Sequence, residues 1–159
     1  VSFMLRENGK VEGIGGKAPY IENPSEQLEF YKKLSGAIQA GLVHTAHDCS
    51  EGGLGVALAE MCIGGRCGAE VDIDGTGDAS LWARLWGESL GRIVVAIAPH
   101  QNAKFLEHMR GVPKTILGQV TAGSHLHIVD GDDMILSADV DEMTTSWQGT
   151  LDLSKEVSA

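Results

Sequence analysis

A chain of 159 residues, 43% hydrophobic and 21% charged, has the size and makeup of one globular domain, which excludes a disordered chain. Its 12 Lys and Arg against 22 Asp and Glu give −10 at pH 7. That field repels phosphates and anionic lipid, so neither nucleic acid nor a membrane is an expected partner. No apolar run approaches the roughly 20 residues that span a bilayer. Residues 1–6 lack the charged start and apolar core of a signal peptide. The first residue is Val1 rather than Met, which suggests a piece of a longer chain. Cys49, Cys62 and Cys67 are odd in number and read as reduced thiols of a cytoplasmic protein. The 21 glycines are about twice the ordinary share of roughly 7%, so many backbone positions must turn tightly or approach something closely.

Residues 3–11 read as a strand broken by Glu7, Asn8 and Gly9, a possible hairpin turn, and residues 13–19 as a loop. A helix then starts at Asn23-Pro24-Ser25-Glu26: Asn23 caps it, Pro24 suits its first position, and Glu26 completes a capping box. Leu28, Tyr31, Leu34 and Ile38 recur at helical spacing, and Gly41 supplies the stop. Residues 42–46 form a short apolar strand that runs into the loop beginning at His47. A second helix over 53–62 presents Leu54, Leu58 and Met61 on one stripe, and Gly64-Gly65 breaks it.

Residues 69–73 alternate apolar and acidic, as a half-buried strand does. Turn residues 74–78 and a short helix over 79–86 follow. Residues 93–98 carry no polar alternation and fit a central strand covered on both faces. Pro99 opens a helix to about Arg110, with Phe105, Leu106 and Met109 inward and Gly111 at its end. Strands are expected at 114–120, 125–129 and 134–137, the last two joined through Asp130-Gly131-Asp132. Residues 139–148 form a closing helix. The sequence of elements predicts an α+β domain with a mixed sheet and helices on its faces, over residues 1–151, with 152–159 a tail or linker.

The most informative stretch for chemistry is Asp48-Cys49-Ser50-Glu51-Gly52-Gly53-Leu54, where a strand feeds a small-residue loop that opens a helix. Such a corner aims unpaired N–H groups and the positive end of the helix dipole at one point, suiting an anion. The competing explanation is structural: Asp48 or Ser50 caps the helix, and the glycines permit tight packing. Glu88 and Ser89, with Arg92 four residues after Glu88, could orient a polar ligand, or Glu88 and Arg92 could pair. His44, His47 and the cysteines match no metal-ligand spacing, so no metal site is expected. Cys49 as a nucleophile would need a base such as His47, and a buried thiol is the simpler assignment. His125 and His127 share one face of a strand as surface imidazoles. Trp82 and Trp86, four apart, form an apolar stripe against the core or a partner.

The run Ala46-His47-Asp48-Cys49-Ser50-Glu51-Gly52-Gly53-Leu54-Gly55-Val56-Ala57-Leu58-Ala59-Glu60-Met61 resembles a signature of the phosphoribosylformylglycinamidine synthase family. Further agreement comes from Gly68-Ala69-Glu70-Val71-Asp72-Ile73 and from Glu88-Ser89 followed by Arg92-Ile93-Val94-Val95. Weaker agreement extends from the loop at 13–19 to Trp147-Gln148-Gly149. This family, also called formylglycinamide ribonucleotide amidotransferase, belongs to the aminoimidazole ribonucleotide synthetase superfamily. The resemblance implies a C-terminal-type domain with a mostly antiparallel sheet, in the second of two N–C pairs.

It further implies that the full enzyme is a ligase of purine biosynthesis, using ATP and Mg with glutamine as amide donor. An ATP-binding domain would precede this one in the same chain, and glutaminase and small accessory subunits would be partners. Leu90 stands where the family's first copy carries a hydrogen-bonding Gln, which implies a degenerate, structural or anion-holding counterpart of the active half. No catalytic residue is assigned here, and no cofactor is expected on this chain alone. The candidate anion or substrate contacts are Ser50, Glu51, Gly52, Gly53, Glu88 and Ser89, supported by Asp48 and Arg92. Two rivals stand beside this one. The chain is a noncatalytic module docking on an ATP-binding partner, or it belongs to another member of the same superfamily.

Overall fold

Helix α1 (Pro24–Gln39) forms because its ends are specified within a few residues. The Asn23 side chain accepts from the amides of Ser25 and Glu26, and its amide group donates to Glu26 Oε1 at 2.7 Å. At the other end Gly41, at φ +67°, sends its N–H to Ile38 O while Leu42 N–H reaches Ala37 O, a Schellman turn. The computed structural model describes residues 6–7, 10–11 and 23–149. Within it, β1 (Arg6–Glu7) and β2 (Lys10–Val11) pair antiparallel, in keeping with a break in the expected first strand. The expected loop at 13–19 and the expected tail at 152–159 lie outside the described residues.

Strand β3 (Thr45–Asp48) pairs antiparallel with β5 (Ile93–Ala96), and these two make one small sheet. The strand expected at 42–46 therefore begins later, and His47 and Asp48 lie in it rather than in the loop. Leu42 and Val43 are apolar because they pack under α1, not because they join the ladder. Helix α2 (Gly53–Gly65) runs through Gly64-Gly65 and ends where Arg66 adopts the left-handed conformation at φ +51°. Arg66 is held there by bonds to Asp141 and Thr144.

Strand β4 (Gly68–Asp72) follows with the expected alternation, Ala69 and Val71 buried and Glu70 and Asp72 exposed. A 3-10 turn (Asp74–Thr76) leads to α3 (Leu81–Trp86), capped by Ser80. After β5, a 3-10 turn (Pro99–Gln101) enters α4 (Asn102–His108), with Phe105 and Met109 buried as expected. Strands β6 (Gly118–Thr121), β7 (His125–Asp130) and β8 (Asp133–Asp139) join β4 in a four-stranded sheet of order β6-β4-β7-β8. Only β4 and β7 are parallel; the other pairs are antiparallel. Residues 114–117, expected in a strand, precede the ladder, which starts where Gly118 meets Val71. Helix α5 (Val140–Gly149) closes the described chain, its first amides bonded to Asp139 Oδ1.

Two interiors result. The larger lies between α2, α3, α5 and the four-stranded sheet, around Leu54, Leu58, Ile73, Leu85, Leu126 and Ile128. The smaller lies between α1, α4 and the β3–β5 sheet, around Leu34, Ala37, Leu42, Phe105 and Met109. Strand β5 separates them: Val94 packs against the larger, Ile93 and Val95 against the smaller. That is why its sequence lacks polar alternation. The expected central position is not observed; among the described residues β5 has one in-sheet neighbour and is half-buried throughout. The stripe expected on α1 divides as well: Leu34 is buried, whereas Leu28, Tyr31 and Ile38 are exposed.

Candidate functional site

The corner between β3 and α2 is built by Cys49, Ser50, Glu51, Gly52 and Gly53. Cys49 is buried and its N–H donates to Arg92 O at 2.9 Å, which fixes the corner to the start of β5. Ser50 and Glu51 are exposed. Gly52 and Gly53 both take left-handed backbone, φ +75° and +64°, where a side chain would be strained. Gly53 has a second reason to be glycine: a Cβ there would stand 2.8 Å from Leu85 O, Gly87 O and Trp86 C. Gly55 repeats the theme, since a Cβ on it would strike the Trp86 ring. The close approach that the glycines allow is thus with the protein's own segment 85–87.

That segment also carries Glu88 to the corner. Gly52 N–H donates to Glu88 Oε1 at 3.1 Å, so two residues singled out separately in the sequence, 36 apart, meet. Gly53 N–H is taken by Ser50 O at 3.2 Å. A carboxylate at the first turn of α2 is favoured by the helix dipole, by roughly 0.3–1 kcal/mol where exposed. No side chain of residues 50–52 caps the helix; Glu88 serves instead.

Arg92 donates to the carbonyls of Gly87, at 3.2 Å, and Arg84, at 2.9 Å. It closes the end of α3 and holds the turn from which Glu88 projects. Arg84 in turn grips Asp130 with two guanidinium nitrogens and donates to Ile73 O, tying α3 to β4 and β7. Sequence reasoning missed Arg84 because Asp130 lies 46 residues away. It also missed Glu60, whose Oε2 lies 3.1 Å from His47 Nε2; the opposite ring nitrogen, Nδ1, faces Asp48 O at 2.8 Å. Asp48 and Ser89 are exposed flanks of the corner.

The thiols are placed for packing rather than attack. Burial raises the Cys49 pKa above its ordinary value; Arg92 opposes the rise and Asp48 adds to it. Burial, helped by Cys67, pushes Cys62 up to about 11. The reactive thiolate is disfavoured in both cases. His44 lies in a bend, not in a strand. His125 and His127 do share a face, their rings stacked with centroids 5.6 Å apart. The tryptophans part company: Trp86 packs on the larger core, while Trp82 is exposed. Among the described residues no three His, Cys, Asp or Glu side chains gather as a metal site, and no helix is long and apolar enough to cross a membrane.

Comparisons with known proteins agree with this architecture. The model of a family described as AIR synthase related protein, C-terminal domain, matches residues 5–131. Over 139 residues the chain is 37% identical to phosphoribosylformylglycinamidine synthase subunit PurL of Synechocystis sp., covering 85% of this chain and 18% of that protein. A structure of T. maritima PurL complexed with FGAR superposes with TM-score 0.69 at 22% identity, over 78% of this chain and 22% of that one. PurLQS from Thermotoga maritima gives TM-score 0.69 at 20% identity, over 86% of this chain and 23% of that one. The chain spans about a fifth of the length of these relatives. The structural likeness speaks to the fold.

Proposed function

Because the chain belongs to the family of AIR synthase related protein C-terminal domains, we propose that it works as the second such domain of a cytoplasmic phosphoribosylformylglycinamidine synthase. The 37% identity to a PurL subunit over most of the chain is the observation that carries this reading. Relatives of the same fold are complexed with ATP and with FGAR, and another is part of PurLQS. The whole enzyme would convert formylglycinamide ribonucleotide, ATP and glutamine-derived ammonia to the amidine, ADP and phosphate in purine biosynthesis. ATP and Mg would be held by the preceding ATP-binding domain, and glutaminase and small accessory subunits would deliver ammonia.

The contribution of this chain's own residues is structural and electrostatic. Residues 50–53 with Glu88 and Ser89 form a helix-end corner of the kind that receives an anion. Here the Glu88 carboxylate takes the Gly52 amide, with Arg92 holding its turn from behind. The corner is self-occupied, which suits a degenerate counterpart of an active half. A phosphate must compete with a charge of its own sign already in place.

Two experiments test the proposal. Supplied with the preceding region and ammonia, the chain should support amidine formation, while the chain alone shows no ATP-dependent turnover; turnover by the chain alone, or none by the assembly, overturns it. For the corner, millimolar phosphate should shift the amide resonances of residues 50–53 more in Glu88→Gln than in the native chain. Equal or absent shifts in both remove the anion-holding part.

A further inference from the structure

We propose that Cys62 and Cys67, at the turn that ends α2, are a dithiol that closes to an internal disulfide, with Cys67 the site that a low-molecular-weight disulfide modifies first. The turn is a Schellman motif: Cys67 N–H donates to Cys62 O and Arg66 N–H to Ile63 O, both at 3.3 Å. This motif commonly presses together the side chains at the two ends of its longer bond, and here both are cysteine. Two observations place the sulfurs at that contact. A Cβ on Gly65 would stand 2.9 Å from Cys67 Sγ, so this sulfur folds back over the last turn of α2, where glycine leaves it room. Cys62 lies on the adjacent turn, three residues before Gly65, and its pKa is raised by burial first and by Cys67 second. Arg66, between the two, is the only non-glycine residue with positive φ among the described residues. Its bonds to Asp141 and Thr144 let α5 hold the turn in the shape that keeps the thiols together.

Exposure divides the chemistry between the two sulfurs. Cys62 is 4% exposed, whereas Cys67 is half-buried, so an external reagent reaches Cys67. The Cys67 thiolate attacks a disulfide RSSR, forming a Cys67–SR mixed disulfide and releasing RS⁻. The Cys62 sulfur, having lost its proton, then attacks the Cys67 sulfur and expels a second RS⁻. The two thiol protons end on the two leaving thiolates. The pair thus gives up two electrons, and one RSSR becomes two RSH. Cys49, equally buried and beyond the other end of α2, takes no part. Closure fastens the end of α2 to the start of β4, and a reductant reopens it.

Oxidised glutathione is the probe, applied to the chain folded and in urea. Trypsin cleaves after Arg66, so the closed disulfide leaves residues 34–66 joined to 67–84 until a reductant parts them. Fragmentation of the joined peptides in the native chain should place the bond at Cys62 rather than Cys49. Cys62→Ala should stop at the glutathione adduct on Cys67, and Cys67→Ala should give neither adduct nor join. In a glutathione redox buffer the ratio of disulfide to dithiol should be about tenfold higher in the folded chain than in urea, because the turn already holds the ends together. A ratio equal or lower in the folded chain overturns the proposal. So does a Cys67 adduct that never closes, a native chain that takes no glutathione, a bond through Cys49, or a bond between two chains.

Discussion

Helices α1 and α2 are both announced by the sequence, yet they are held by opposite means. Helix α1 carries its own ends: Asn23 and Glu26 at the start, Gly41 at the finish, and an interior contact through Leu34 and Ala37. Helix α2 has no side-chain cap of its own and is buried through Gly53, Leu54, Gly55, Ala57, Leu58 and Cys62. The amide just ahead of it, Gly52 N–H, is served by Glu88, while Gly53 fits against the backbone of 85–87 and Gly55 against the Trp86 ring. The difference teaches that local signals set where a helix begins and ends, while tertiary neighbours decide how much its residues matter.

Substitutions can break this contrast directly. Leu58→Ala should cost roughly 2–5 kcal/mol in denaturant unfolding, since it empties a packed interior. Leu28→Ala in α1 should stay within about 0.5 kcal/mol in the same chain. Equal losses would erase the distinction between the helices. Gly53→Ala should cost roughly 2–4 kcal/mol, combining left-handed strain with collision against backbone that cannot move aside. Tryptophan fluorescence should report it, because Trp86 belongs to the segment displaced. A neutral effect would mean the corner is looser than the structure shows.

The smallest effect is electrostatic and lies near the sheet. The Asp72 carboxyl is held below its ordinary range by the Asp74 amide first and the Gly131 amide next. Asp139 is lowered chiefly by the Glu142 amide. A depressed folded pKa contributes stability above the ordinary carboxylate value, and that contribution is lost as pH falls through the lowered one. The melting temperature should therefore fall on acidification below about pH 4, and Asp72→Asn should reduce the slope. An unchanged slope would show that these backbone bonds carry no linkage.

The same contrast explains what was legible in the sequence. The limits of α1 were readable because Asn23, Glu26 and Gly41 act within a few residues of themselves. The limits of β3 and β6 were not, because they are set by pairing with Ala96 and Val71, and apolar Leu42 and Ile116 carry no label saying whether they pair. Residues 50–53 and 88–89 were singled out separately, but their union through Gly52 and Glu88 spans 36 residues and has no local pattern. Arg84 and Asp130 were silent for the same reason. Exposure of Leu28 and Tyr31 was also illegible, since helical spacing marks an apolar side without saying what covers it.

Strand β5 leaves one practical consequence. Val94 and Val95 are consecutive, but they serve as a party wall with a different room on each side. Methyl labels on the two would act as separate gauges one residue apart. Disturbance spreading from the glycine corner should register at Val94 before it registers at Val95, and disturbance arriving through α1 should register in the opposite order.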